Sequence, residues 1–309
     1  MKNKSLLIAS VFAASTVFAQ DLTSKKGEPF LPEAGDWAIS FDATPFLNYA
    51  GQMFSNAGAS SPTANYTNGY PWAIKGKMFK DEKTAYRAGI RLGFGNTTYR
   101  NEVGVPLAST ATPAVYPNVD PTTEDEYKTG YNNIVLTGGL EMRRGKTRLQ
   151  GYYGGELVIG FGGTKDAYTY GNALSSGATP DPLVTVGSDD TDWSTFGFAS
   201  NYTTDPTGTN ARVTERKTSS MLVGLRGFIG VEYFILAKIS VGAEYGWGFG
   251  MFSQKQTVSM ESNAFTTAWT TGSFETEDKI NGMAIDTDIQ SSQTGLSGGS
   301  GSLNIIFHF

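Results

Sequence analysis

Apolar side chains occupy every second position at the end of the chain, where Leu303, Ile305, Phe307 and Phe309 alternate with Asn304, Ile306 and His308. A strand with that period presents one apolar face. The same pattern recurs upstream. Trp37, Ile39, Phe41 and Ala43 mark a strand over 36–44. Trp72, Ile74, Gly76 and Met78 lead into Lys80-Asp81-Glu82-Lys83, and Tyr86, Ala88, Ile90, Leu92 and Phe94 return. Ile134, Leu136, Leu140 and Met142 run into Arg143-Arg144-Gly145-Lys146, followed by Leu149, Tyr153, Leu157, Ile159 and Phe161. Met221, Val223, Leu225, Ile229 and Val231 pair across a turn region 232–239 with Val241, Ala243, Tyr245, Trp247, Phe249 and Met251. With the terminal strand over 299–309, the pattern predicts eight strands.

The spaces between these strands alternate in length. Short links fall at 80–84, 143–147 and 232–239, and long ones at 45–71, 95–129, 162–217 and 252–297. An up-and-down barrel with short turns on one side of a membrane and long loops on the other requires that order. Strands of about ten residues, tilted about 40°, cover an apolar band of about 25 Å. The fold expected is all-β, an eight-stranded antiparallel up-and-down transmembrane β-barrel with long extracellular loops.

The first residues read as a secretory signal over 1–19. Lys2 and Lys4 precede an apolar and small-residue run from Leu6 to Phe18, and Val17-Phe18-Ala19 suits cleavage before Gln20. Its removal would shift the net charge from −5 to −7, because both lysines go. Residues 20–35 then form a periplasmic N-terminal segment, and 36–309 the outer-membrane barrel. There is no cysteine, which excludes disulfides and thiolate metal sites. An acidic balance with no basic stripe argues against nucleic acid.

Signal segment, strand alternation, loop order and terminal aromatic together resemble the small outer-membrane barrels typified by OmpX and the transmembrane domain of OmpA. The Ala-Gln cleavage edge and Glu232-Tyr233-Phe234 are similar to barrels of the Bacteroidetes group. The resemblance implies that Leu303, Ile305, Phe307 and Phe309 serve as the signal recognised by the barrel-assembly machinery. The expected location is the outer membrane, with lipid and lipopolysaccharide as surroundings and a monomer as the state. Unlike OmpA, the chain reads as ending with its barrel.

Opposite the apolar face, parity turns charges inward: Asp42, Lys75, Lys77, Arg87, Arg91, Glu141, Arg148, Glu156, Arg226 and Glu244. Charges in a narrow barrel are costly unless paired, so mixed signs predict a salt-bridge network closing the lumen. Inward glycines (Gly89, Gly93, Gly154, Gly242, Gly246, Gly248) leave open a narrow channel instead, or close backbone packing.

Candidate chemistry is sparse. The single histidine, His308, is expected to be a structural residue at the closing strand. A triad needs an imidazole beside a hydroxyl, and no G-x-S-x-G, H-E-x-x-H or P-loop occurs. No cofactor is expected. Acidic groups at Asp120, Glu124-Asp125-Glu126 and Asp189-Asp190 with Asp192 suit either divalent cations or a solvated loop. Loop aromatics (Tyr127, Tyr168, Tyr170, Trp193, Tyr202 among them) could stack on a ligand or on each other. The expected role is non-enzymatic: surface interaction, adhesion or envelope integrity, with a possible extracellular ligand at the loops. A narrow pore of the OmpW type is the alternative, and a lipid-modifying enzyme the third.

Overall fold

The computed structural model describes residues 23–24, 26–42, 73–106, 121–179, 181–287 and 302–309. Ten strands form one antiparallel sheet: β1 (Trp37–Asp42), β2 (Ala73–Asp81), β3 (Thr84–Gly104), β4 (Thr122–Arg144), β5 (Leu149–Thr169), β6 (Tyr202–Thr204), β7 (Asn210–Leu236), β8 (Ile239–Phe265), β9 (Trp269–Thr287) and β10 (Ser302–His308). Among the described residues the one helical element is a single 3-10 turn, Trp193–Phe196.

Eight strands close into a ring. Neighbours run β1 to β5, then β7, β8 and β10, and β10 returns to β1. The closing pair sets Ala38 against His308 and Asp42 against Asn304. Two backbone hydrogen bonds between Trp37 and Phe309 complete it. β10 and β9 follow the same neighbour at different heights. β10 pairs with Ile239 to Glu244 of β8, and β9 with Trp247 to Phe265.

The alternation seen in the sequence is realised on every strand of the ring. Trp37, Ile39 and Phe41 point outward, as do Leu92, Leu136, Leu157, Leu225 and Trp247, each at least 38% exposed. Their alternates Ala38, Ser40, Phe79, Val158 and Phe228 are buried inside.

Two of the expected long loops, 95–129 and 252–297, are mostly strand among the described residues, and the third, 162–217, is strand at both ends. β3 and β4 pair without interruption out to Gly104 and Thr122. β5 runs to Thr169, and β7 starts at Asn210. β8 reaches Phe265 and turns straight back into β9. Strands of 21 to 27 residues are the result. The outward apolar stripe stops near Phe94, Phe161 and Met251, but ladder hydrogen bonds do not depend on apolar side chains. Thr, Tyr and Val continue the pairing on their own β preference. The expected link 45–71 lies outside the described residues, as does the expected signal segment 1–19.

The short links are tighter than expected. β2 and β3 are joined by Glu82-Lys83, and β7 and β8 by Ala237-Lys238. Between β4 and β5 the turn spans 145–148, where Gly145 adopts φ +144, a backbone region that side chains with a Cβ avoid. As a result Arg143 and Glu232, expected within turns, are strand residues facing inward.

Candidate functional site

The interior of the ring is a continuous ionic cluster. Glu156 and Arg226 are directly opposed on β5 and β7, and Arg226 Nη1 stands 2.7 Å from Glu156 Oε1 and 3.1 Å from Glu244 Oε1. Glu244 also receives Lys75 at 3.2 Å and Arg87 at 2.9 Å. Lys77 bridges Glu141 (3.0 Å) and Glu232 (3.3 Å), and Arg143 Nη1 bridges the same two carboxylates at 2.9 Å each. Arg87 reaches Glu141 at 3.4 Å and so joins the two halves. Four glutamates thus share five cations. Buried charges persist only with such multiple partners.

Aromatic rings lie against these cations. Arg87 lies over Phe228 at 4.0 Å, and Lys77 over Tyr152 at 4.7 Å. The inward glycines serve these side chains. A Cβ at Gly246 would fall 2.5 Å from the Arg226 guanidinium, and one at Gly154 would strike Leu140 O and the Phe228 ring. Gly246 and Gly154 thus clear room for an arginine and a phenylalanine. Above Arg226, Val135, Val158 and Leu222 pack with Phe252 across the interior. Beyond them the inner face bounds a cavity of about 420 Å³ lined by Tyr131, Asn133, Thr164, Ser220 and Gln254.

Of the inward residues expected from parity, Lys75, Lys77, Arg87, Glu141, Glu156, Arg226 and Glu244 meet in this cluster. Asp42 faces Asn304 in the β1–β10 ladder, but its side chain lies outside the described residues. Arg91, one same-face step beyond Gly89, is half-buried. Arg148 stacks 3.6 Å from the ring of Phe30, a buried residue of the N-terminal segment. Its position beside the turn puts it at the rim, where that segment crosses. Arg143 and Glu232 are the missed members. The alternation through Glu141 continues to Arg143 and that through Arg226 and Phe228 continues to Glu232, and that continuation was the signal available. Leu303, Ile305, Phe307 and Phe309 all face outward on and after β10.

His308 belongs to the same cluster. Its Nε2 is 2.9 Å from Ser240 Oγ and 3.1 Å from Glu232 Oε1, and Ser240 Oγ donates to that same carboxylate oxygen at 2.6 Å. Serine, imidazole and carboxylate meet, but not as a relay. Hydroxyl and carboxylate converge on one ring nitrogen, whereas a triad uses both. Ser240 is wholly buried.

A second assembly covers the inner face of the extended strands. Trp193 packs against Tyr127, Tyr168 and Val213, with Tyr170, Phe198 and Val258 around them. Tyr127 shares its face of β4 with Glu141, so this cap sits on the same side of the sheet as the ionic cluster. Acidic residues hold it down. Asp125, fully buried, accepts backbone N–H bonds from Gly171 (2.8 Å) and Thr191 (2.7 Å). Asp190 pairs with Arg212 Nη1 at 2.6 Å, while Arg212 Nε meets Glu261 at 2.8 Å and the guanidinium covers Tyr170. Asp192 caps the 3-10 turn through Ser194 N. Asp125, Asp190 and Asp192 are therefore clamps, while Glu124 and Glu126 lie at the surface beside Arg100; among the described residues no cluster has the arrangement to hold a metal ion. Asp120 lies outside the described residues.

Electrostatics in the cap follow from burial. Burial pushes the Asp190 carboxyl up to about 6, prevailing over the pull of Arg212. Hydroxyls of Ser262 and Thr207 hold Asp205 down at about 2. The Tyr170 hydroxyl is raised by burial; it donates to Val213 O at 2.7 Å and accepts from Asn201.

No family model matches the chain, and neither a curated protein nor a solved structure matches it.

Proposed function

We propose that the ring is an eight-stranded outer-membrane β-barrel, closed to solutes, that carries the extended hairpins and their cap as a surface for non-enzymatic interaction outside the cell. One observation carries this: a band of outward apolar side chains encircles an interior filled with ion pairs. Taking one residue per strand, Trp37, Ile74, Leu92, Leu136, Leu157, Leu225, Trp247 and Ile305 are 37–64% exposed. Full burial of such a side chain is worth about 1.5–3 kcal/mol, so half-exposure in water forfeits on the order of 1 kcal/mol each. Eight forfeit about 8 kcal/mol, comparable with the whole stability of an ordinary domain at about 5–15 kcal/mol. These eight are a minority of the outward apolar residues. A hydrocarbon surround removes that cost, and a closed ring leaves no unpaired strand edge within it.

Closure of the interior is supported by the burial of Arg87, Glu156, Arg226 and Glu244, all at most 8% exposed, and by the apolar layer of Val135, Val158 and Leu222 above them. The cap is the working surface. It is rich in polar and aromatic groups, and a folded scaffold holds it in place.

The test is conductance in a planar bilayer, after heat-modifiable gel migration has verified refolding. The closed barrel is electrically silent. Discrete, reproducible channels would overturn closure and favour a conduit.

A further inference from the structure

Four consecutive strands of the extended sheet carry a lysine at the same height on the outer face. Lys165 of β5 is directly opposite Lys217 of β7, and Lys255 of β8 is directly opposite Lys279 of β9. The two pairs are linked through Ser219, which faces Lys255. Each lysine stands four residues from the last apolar residue of its own stripe: Phe161, Met221, Met251 and Met283, all 46–71% exposed. The one outward residue between is small or short in every case, namely Gly163, Ser219, Ser253 and Asn281.

We propose that Lys165, Lys217, Lys255 and Lys279 form a band that binds the phosphate groups of a phosphorylated glycolipid in the outer leaflet. The inference rests on the barrel spanning that membrane and names a lipid that its outer wall selects. Four residues of strand rise about 13 Å, and with a tilt of about 40° the lysines stand about 10 Å above the edge of the apolar band. That is headgroup height. Lysine stems can lie back over small spacers and bring their ammonium groups down toward it.

Charge fits as well. Glu215 pairs with Lys165 at 2.7 Å, and Glu277 with Lys255 at 2.6 Å and Lys279 at 3.7 Å. These two carboxylates leave the four lysines an excess of two positive charges, and Glu275, one outward step beyond Glu277, lowers the excess on this face to one. The three paired lysine side chains remain 45–65% exposed, and exposed pairs of this kind contribute little to stability. A phosphate can therefore exchange for a carboxylate at small cost. The band is one-sided: on β4 the outward run is Ile134, Asn132, Gly130, and its lysine, Lys128, comes one step later.

The test uses the full protein refolded into phosphatidylcholine vesicles and titrated with diphosphoryl lipid A or its dephosphorylated form. Wild type is compared with the quadruple variant K165Q/K217Q/K255Q/K279Q and its Lys→Arg counterpart. Heat-modifiable migration in plain phosphatidylcholine reports insertion separately. Expected is equal insertion of all three, roughly tenfold weaker lipid A binding by the Gln variant, retention by the Arg variant, and no difference with the dephosphorylated lipid. Equal lipid A binding by wild type and the Gln variant would overturn the band, as would wild-type indifference to the phosphates. Failure of wild type to insert would instead overturn the barrel, and the band with it.

Discussion

Arg226 of β7 and Glu156 of β5 occupy directly opposed positions, and their charged ends meet at 2.7 Å inside the ring. Removing one partner leaves the other buried and uncompensated. Arg226→Leu should cost about 3–5 kcal/mol, read as a shift in urea unfolding of the refolded protein. Pairing it with Glu156→Leu should restore most of the loss, because the orphaned charge is gone. Equal costs for the single and double variants would show that the pair does not act as a unit.

Outward parity has its own test at Leu92, 47% exposed and two residues inside the end of the apolar stripe on β3. Leu92→Arg should destabilise the ring by about 2–4 kcal/mol if the site faces mid-bilayer lipid. An unchanged unfolding free energy would mean that lipid does not surround this strand.

Both of these sites were legible because a strand has a period of two. Knowing that Leu92 and Leu225 face one way fixes Arg87 and Arg226 the other way. What was not legible has identifiable causes. Arg143 and Glu232 are followed by turn-like residues, and the sequence does not mark where pairing stops, so two central members of the cluster read as turn. Arg148 has the right parity but sits where Phe30, more than a hundred residues distant in the chain, crosses the rim. The extended hairpins lack apolar alternation on one face, so their strands were hidden in sequences that read as polar loop. The cap depends on contacts such as Asp125 with Thr191, which no local pattern announces.

Trp193 anchors that cap at 2% exposure, its ring 5.6 Å from Tyr127. Trp193→Ala should cost the cap about 3–5 kcal/mol. Limited proteolysis should then cut within 171–209 while heat-modifiable migration of the ring stays unchanged. Protection equal to wild type would place the anchor elsewhere.

Asp190 makes the cap sensitive to pH. Its carboxyl titrates at about 6 in the folded cap against an ordinary 3.8. Between those values the folded state holds a proton that the unfolded chain releases. The contribution is therefore fully present below 3.8 and is lost as pH rises through about 6. Unfolding of the cap, followed by Trp193 fluorescence, should show stability falling across that window, and Asp190→Asn should flatten the fall. The same slope in both proteins would assign it to another group.

The central claim, that the apolar band of the ring faces lipid, is tested most directly by quenching with brominated acyl chains. Trp247 points outward at 47% exposure, whereas Trp193 is buried in the cap. In single-tryptophan variants refolded into brominated phosphatidylcholine vesicles, Trp247 should be strongly quenched and Trp193 should not. Unquenched Trp247 in protein that shows folded, heat-modifiable migration would contradict a membrane-spanning barrel.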